Sequence, residues 1–312
     1  MAFLYALPGA VAEGLIWGLM AMGVYISYKI LDIADLTVDG SICTGGCVCA
    51  VLLTAGVPVW AAVLAALIAG ALTGTVTGLL HTVLGIPSIL AGILTQLMLY
   101  SVNLLILGGK SLMPIDPRAN ELLVHMSDNN SAVITMTVFV ALTIFLLYEF
   151  FYTEVGLTLK STGDNPDMSR AQGVDVDRNK VVGLAIANGI VAMAGALLAQ
   201  YKGSANINDG RGAIVIALAA IFIGLSVSLK IKPNFVCSLI GVVCGGIVYY
   251  IVYNFVILLG LKTDYLKMLS AIIVALFLGV PYLKGKYFTK QKDLHPSDFA
   301  QKANAEGGKG HA

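Results

Sequence analysis

The chain has 312 residues, 58% of them hydrophobic and 12% charged, with a formal net charge of +1 and a mean hydropathy of +0.86. An ordinary soluble domain carries about 25% charged residues, so the composition excludes one and marks a polytopic membrane protein; no nucleic-acid partner is expected.

A hydrocarbon core of about 30 Å takes about 20 apolar residues to cross. Candidate spans run from Ala10 to Tyr28, Ile42 to Thr54, Val57 to Leu80, Ile86 to Leu107, Ala132 to Phe151, Val181 to Gln200, Ala213 to Leu229, Phe235 to Leu259 and Tyr265 to Tyr282. Without water in the bilayer core the backbone must close its hydrogen bonds internally, and runs this long with frequent Gly and Ala read as helices rather than barrel strands. The expectation is an all-α transmembrane bundle of about nine segments over residues 1–285, followed by a polar, Gly-rich, disordered tail over 286–312. Segments two and seven are short or Gly-rich, so each can be a broken helix.

The first span carries Glu13 and Trp17 one turn apart. The second contains "CTGGCVC", with Cys43, Cys47 and Cys49. Lacking His or acidic residues at ligand spacing, it reads as small buried core rather than a metal site. In the fourth, Gln96, Tyr100 and Asn103 fall at i, i+4 and i+7, one helical face. With Asn188 in segment six, and Tyr250 and Asn254 in segment eight, they are the candidates for a path that hydrogen-bonds a small polar solute. The bland reading of the same residues is interhelical hydrogen bonding, or interfacial tyrosine. "GGKS", Gly108 to Ser111, resembles the end of a P-loop but follows a helix and lacks the first glycine, with Leu104 in its place. The loop after it, Gly108 to Ser131, is mixed in charge and suits either a receptor contact or plain solvation.

Between residues 152 and 180 the apolar pattern breaks. Asp164-Asn165-Pro166 is a helix start, with a capping side chain and then Pro at the first position, and Gly173 is a matching stop. A helix of two turns is marginal alone. Met168, Ala171 and Gln172 form a small apolar edge that can dock in a groove, and a solvated loop with one capped turn is the equal alternative.

Two further stretches, "LTVDGSICTGG" and "ANINDGRGAIV", each set Asp-Gly before a short Gly-containing apolar segment, once per half of the chain. That is the pattern of an inverted repeat with half-helix N-termini aimed at a translocation site; Asp39 and Asp209 as plain N-caps are the alternative. Alternation of the spans sets the two aspartates on opposite membrane sides.

Orientation follows Lys and Arg, which collect in cytoplasmic loops. With 152–180 inside, thirteen of the 19 basic residues fall inside and six outside (Lys110, Arg118, Lys202, Arg211, Lys262 and Lys267), giving a cytoplasmic C-terminus. The absence of a basic residue before Lys29 argues against a cleaved signal.

"EVGLTLKSTGDNPDMSRAQGVD" and the following "NKVVGLAIANGIVAMAGALLAQYKGSANINDGRGAIVIALAAIFIG", with "DIADLTVDGSICTGG" and "LAGILTQLMLYSVNLLILGGKS", resemble the permease subunits of ABC importers in the branched-chain amino acid and ribose permease group. Within it they are most similar to the uncharacterised or tryptophan-tyrosine permease subgroup. The likeness covers nearly the whole chain up to about Lys286. It implies that the polar stretch is the cytoplasmic coupling helix seated in a cleft of an ATPase, with Gly163, Asn165, Pro166, Ala171 and Gly173 at the motif positions. Met168 and Arg170 join them as contact residues.

The resemblance further implies a multi-pass protein of the bacterial cell membrane with a separate ATP-binding subunit, an extracytoplasmic solute-binding protein and a second permease copy. The cargo would be an amino acid, aromatic in that subgroup. The chain carries no cofactor of its own in this reading, since ATP is bound by the partner. The four histidines are scattered and no H-E-x-x-H or G-x-S-x-G occurs, so no enzyme is expected. The rival is a secondary transporter driven by an ion gradient; its candidate acids, Glu13, Asp39 and Asp209, sit near segment ends.

Overall fold

The computed structural model describes residues 2–116, 122–126, 129–231 and 234–258, with single positions at 268, 272, 275 and 279. Helix α1 (Ala2–Tyr25) widens into a π-turn at Ile26–Ile30 and is followed by α2 (Val38–Thr54), α3 (Val59–Thr82) and α4 (Ser88–Ile106). After β1 (Leu112–Pro114) come α5 (Asn129–Tyr152), α6 (Glu154–Asp164), α7 (Pro166–Ala171) and α8 (Val176–Lys202). Then follow β2 (Ser204–Asn206), α9 (Ala213–Ile231) and α10 (Phe235–Leu258).

The first eight expected spans each coincide with one of these helices. Among the described residues six helices are long and apolar enough to cross a membrane, while α2 and the apolar stretch Ala213–Ser226 of α9 are shorter. The ninth span and the tail lie outside the described stretches. One element was not anticipated. The segment between α5 and α7, read as loop, is the amphipathic helix α6, started by Thr153, whose hydroxyl accepts from the Gly156 N–H.

Helix α8 is the axis. At 27 residues it is about 40 Å long, and α1, α2 and α3 pack along it. Lipid is as apolar as a leucine side chain, so helices here associate through close van der Waals fit rather than hydrophobic drive. Gly70, Gly74 and Gly78 line one ridge of α3. A Cβ on Gly70 would strike Ala192 and the Asn188 carbonyl, on Gly74 the Leu184 carbonyl, and on Gly78 Val181. Missing side chains therefore let α3 and α8 touch along successive turns. The outward faces of α3, α4 and α5 carry exposed Leu64, Ile68, Leu72, Leu105, Leu142 and Phe145, the apolar surface a membrane span presents to lipid.

Two connections do not simply turn round at the end of the bundle. From the π-turn, residues 31–37 run back inward, with Asp32 the one non-glycine of positive φ (55°) among the described residues. Asp35, 2% exposed, meets Asn188 roughly half-way along α8. Helix α2 therefore begins in the middle of the bundle. From β2, residues 207–212 likewise bring the chain in to the start of α9, and the Asp39 carboxylate on the first turn of α2 accepts from the Gly212 and Ile214 N–H groups at 3.0 and 2.9 Å.

The two Asp-Gly stretches thus converge instead of lying on opposite sides. Alternation assigns only the helix bodies to membrane sides, whereas both helices start at the inner ends of re-entrant connections. Asp39 works neither as the cap of its own helix nor as a free acid; it caps α9. Asp209 pairs with Lys202 at 3.3 Å.

Candidate functional site

At one end of the bundle lies the polar segment. Asn165, extended at φ −156°, accepts the Met168 N–H on its Oδ1 at 3.0 Å, and Pro166 occupies the first turn of α7. Gly173, at φ 82°, ends it, its N–H donating to the Arg170 carbonyl at 3.0 Å. A six-residue helix survives because it is held from below. Ser169 is buried, its hydroxyl bonding the Asn165 carbonyl at 2.9 Å and Ser161 Oγ at 3.3 Å.

Asn179 of α8 donates to Thr162 at 3.1 Å. Gly163 lies directly against the Ile30 carbonyl and Leu31, where a Cβ has no room. The outer side stays free: Met168 is 59% exposed, with Asp167, Ala171 and Gln172 exposed around it. Arg170 pairs across to Asp177 at 3.2 Å.

Midway through the bundle a cavity of about 380 Å³ opens between α2, α4 and the turn before α9. Gln96, Tyr100 and Asn103 line it together, opposite Asp39, Cys43 and Arg211. Cys43 Sγ is fixed by the Gly210 N–H at 3.0 Å and by the Ile207 carbonyl at 3.3 Å.

The remaining expected path residues lie elsewhere. Asn188 is fully buried, donating to Asp35 and accepting from Ser41, both at 2.6 Å. Hydroxyl contacts extend from there through Ser41–Thr73 and, beside it, Thr37–Thr77–Thr95, tying α2, α3, α4 and α8. Tyr250 stacks on Trp17 at 5.8 Å, and Asn254 donates to the Tyr250 carbonyl of its own helix. None of these three lines the cavity with Gln96, Tyr100 and Asn103.

Arg211 and Asp35 are not among the site residues expected from the sequence. Arg211 looks like an ordinary loop cation, and Asp35 sits in "DIADLTVDG", which reads as a turn. The one available signal was an acidic residue between apolar runs, which in a membrane protein is costly unless it has partners.

At the far end of α8, β1 pairs antiparallel with β2, Leu112 opposite Asn206. The Gln200 Oε1 accepts the Leu123 N–H at 3.1 Å, tying the loop after β1 to α8. Gly108 and Gly109 form a turn with positive φ leading into that ribbon. Among the described residues no cluster of His, Cys, Asp and Glu could hold a metal.

The model of the family described as branched-chain amino acid transport system, permease component, matches residues 9–278. The chain belongs to that family. It is 36% identical over 268 residues to a tyrosine transport system permease protein of Clostridioides difficile, covering 86% of this chain and 88% of that one. It is 30% identical over 272 residues to an uncharacterised protein of Rickettsia prowazekii, covering 86% of this chain and 95% of the relative. No solved structure matches. The permease is therefore a multi-pass membrane subunit of an ABC-type transport system, a role that implies an ATP-hydrolysing partner and a solute-binding protein.

Proposed function

We propose that this permease forms the transmembrane path of an importer for amino acids, aromatic ones among them, and that a separate ATPase drives it by pushing on α7. The observation that carries the reading is the mounting of that helix. It is capped at both ends, exposes Met168 on one side, and on the other is locked by Ser169 and Gly163 to the body of the protein. Such a part can receive a force and pass it on.

A continuous structural route leads from it. Gly163 lies on Ile30 and Leu31, residues 31–37 run from there to Asp35 and Asn188, and α2 starts immediately beyond with Asp39 and Gly40 on the cavity wall. Movement of α7 by ATPase closure would shift the start of α2 against α4, opening the cavity to one side or the other. In this reading Gly163, Asn165, Pro166, Met168, Arg170, Ala171 and Gly173 are the coupling element. Gln96, Tyr100 and Asn103 line the path, and Asn188, Tyr250 and Asn254 support it between helices. The end bearing α7 is cytoplasmic, as is the C-terminus, and the β1–β2 end meets the solute-binding protein. A second copy completes the pore. The amino acid cargo rests on the family description and on the relative described as a tyrosine transport permease.

The test is affinity purification of the tagged permease from its own membrane, wild type against Met168→Asp with Arg170→Glu. An ATPase should co-purify in stoichiometric amount with the wild type and be lost, or turn over without uptake, in the variant. A permease that purifies alone, with uptake untouched by the substitutions but abolished by a gradient uncoupler at constant ATP, would replace this reading with a gradient-driven transporter.

A further inference from the structure

The cavity between α2, α4 and the turn before α9 has a feature that lining a neutral path does not require: a carboxylate and a guanidinium, Asp39 and Arg211, share its wall without pairing. Asp39 is held in place by the Gly212 and Ile214 N–H groups, each of its oxygens accepting one backbone donor. A carboxylate oxygen has room for a second. Arg211 is the residue next to Gly212, yet the ion pairs among the described residues are Arg170 with Asp167 and Asp177, and Lys202 with Asp209. Asp209, the other acid nearby, is thus taken by Lys202, and Arg211 keeps its charge for the cavity. Both Asp39 oxygens are held by backbone donors, and no ion pair joins Asp39 to Arg211 among the described residues.

A second, independent observation points to a ligand. Asn103, 1% exposed, lines the same space, and its Oδ1 has no hydrogen-bond partner among the described residues. A buried polar atom left unpaired is costly, and native structures tolerate few of them. At about 380 Å³ the cavity lies within the range of small-molecule sites, roughly 300–1,000 Å³.

We propose that this cavity binds the zwitterionic end of an amino acid, with Arg211 taking the α-carboxylate, Asp39 and the Asn103 oxygen taking the α-ammonium, and Tyr100 lying beside the side chain. The assignment rests on the importer reading above and adds where, and by which charges, the permease itself holds its cargo. A guanidinium offers a planar fork that matches a carboxylate two bonds at a time. The free lone pairs of Asp39 and the unpaired Asn103 oxygen supply acceptors for an ammonium, which is all donor. Tyr100 is 44% exposed, so its ring is available to a side chain of either aliphatic or aromatic kind. A monofunctional amine or acid would leave one of the two charges desolvated and unpaired, so the site selects against both.

The experiment uses the complete complex in vesicles, ATP trapped inside, solute-binding protein outside, and a ¹⁴C-labelled mixture of the twenty common amino acids as probe. Loss of a charged hydrogen-bond partner corresponds to roughly ten- to a hundredfold in binding. Arg211→Gln is expected to reduce accumulation by that factor, and Arg211→Lys, which keeps the charge but not the fork, to reduce it less. ATPase co-purification and thermal midpoint should be unchanged, since Arg211 is exposed. Asp39→Asn is expected to impair uptake as well. Arg211→Gln vesicles that accumulate within twofold of wild type overturn the site while leaving the importer reading intact. A loss of uptake matched by a fallen thermal midpoint assigns Arg211 to structure and also overturns the site. Wild-type vesicles that accumulate no amino acid overturn the importer reading, and the site with it.

Discussion

Asn188→Ala tests whether the middle of this bundle is organised around a buried charge. Asn188 is 0% exposed and gives its Nδ2 to Asp35 Oδ2 at 2.6 Å while its Oδ1 accepts from Ser41 at 2.6 Å. Asp35, 2% exposed, has the Thr37 N–H at 2.9 Å on its other oxygen, and no cation pairs with it among the described residues. Each oxygen accepts one donor, so the site is able to hold the ionised form. Removing the amide leaves a buried carboxylate oxygen with nothing to bond.

Two magnitudes compete. An ordinary interhelical hydrogen bond in a membrane protein is worth about 0.6 to 2 kcal/mol, whereas leaving a buried charged acceptor without its donor costs about 3 kcal/mol or more. The second should win here. At about 2 °C per kcal/mol, the lower end of the scale for chains of 150–250 residues and the fitting one for a longer chain, the thermal midpoint in detergent should fall by roughly 6 °C or more. The control is the same substitution in an Asp35→Asn background, where only a neutral bond is lost and the drop should be about 1 kcal/mol. A midpoint that moves by less than about 3 °C, or an equal fall in both backgrounds, would refute the argument that charge at Asp35 is what Asn188 satisfies.

Asn165→Ala removes the cap of α7 and should cost about 1 kcal/mol locally; its effect is expected as weaker retention of the ATPase during purification, with the global thermal midpoint unchanged because the helix is at the surface. Gly163→Val should behave in the opposite way, lowering the yield of folded protein, since the new side chain must displace the Ile30 carbonyl; size-exclusion profiles distinguish the two. Gly74→Val is expected to abolish monodisperse protein by forcing α3 off the Leu184 backbone, while Gly109→Asn, at φ 82° with nothing within 4 Å, should be tolerated because Asn accepts the left-handed region. Met168→Asp alone should leave stability within about 0.5 kcal/mol, as for other exposed positions, and still cut ATP-driven uptake; normal uptake would remove α7 from the coupling role.

Much of this architecture is set by local sequence. Span length and composition fix eight helices, because in lipid the backbone has few alternatives to a helix. The caps of α7 are equally local: Asn165, Pro166 and Gly173 act within four residues of themselves, and each is where the pattern puts it. The i, i+4, i+7 stripe of Gln96, Tyr100 and Asn103 also survives into the cavity, since one helical face is a property of one helix.

What the sequence could not supply is contact between distant segments. Asp39 capping α9 joins residues far apart in the chain, and no periodicity reveals it. The same holds for the bond from Asn188 to Asp35, and for Gly70, Gly74 and Gly78, whose spacing has meaning only once α8 lies against them. Membrane alternation counts crossings and is blind to a chain that enters half-way and turns. The meeting of the α2 and α9 starts, and with it the two unpaired charges on one cavity wall, is therefore decided by tertiary structure alone.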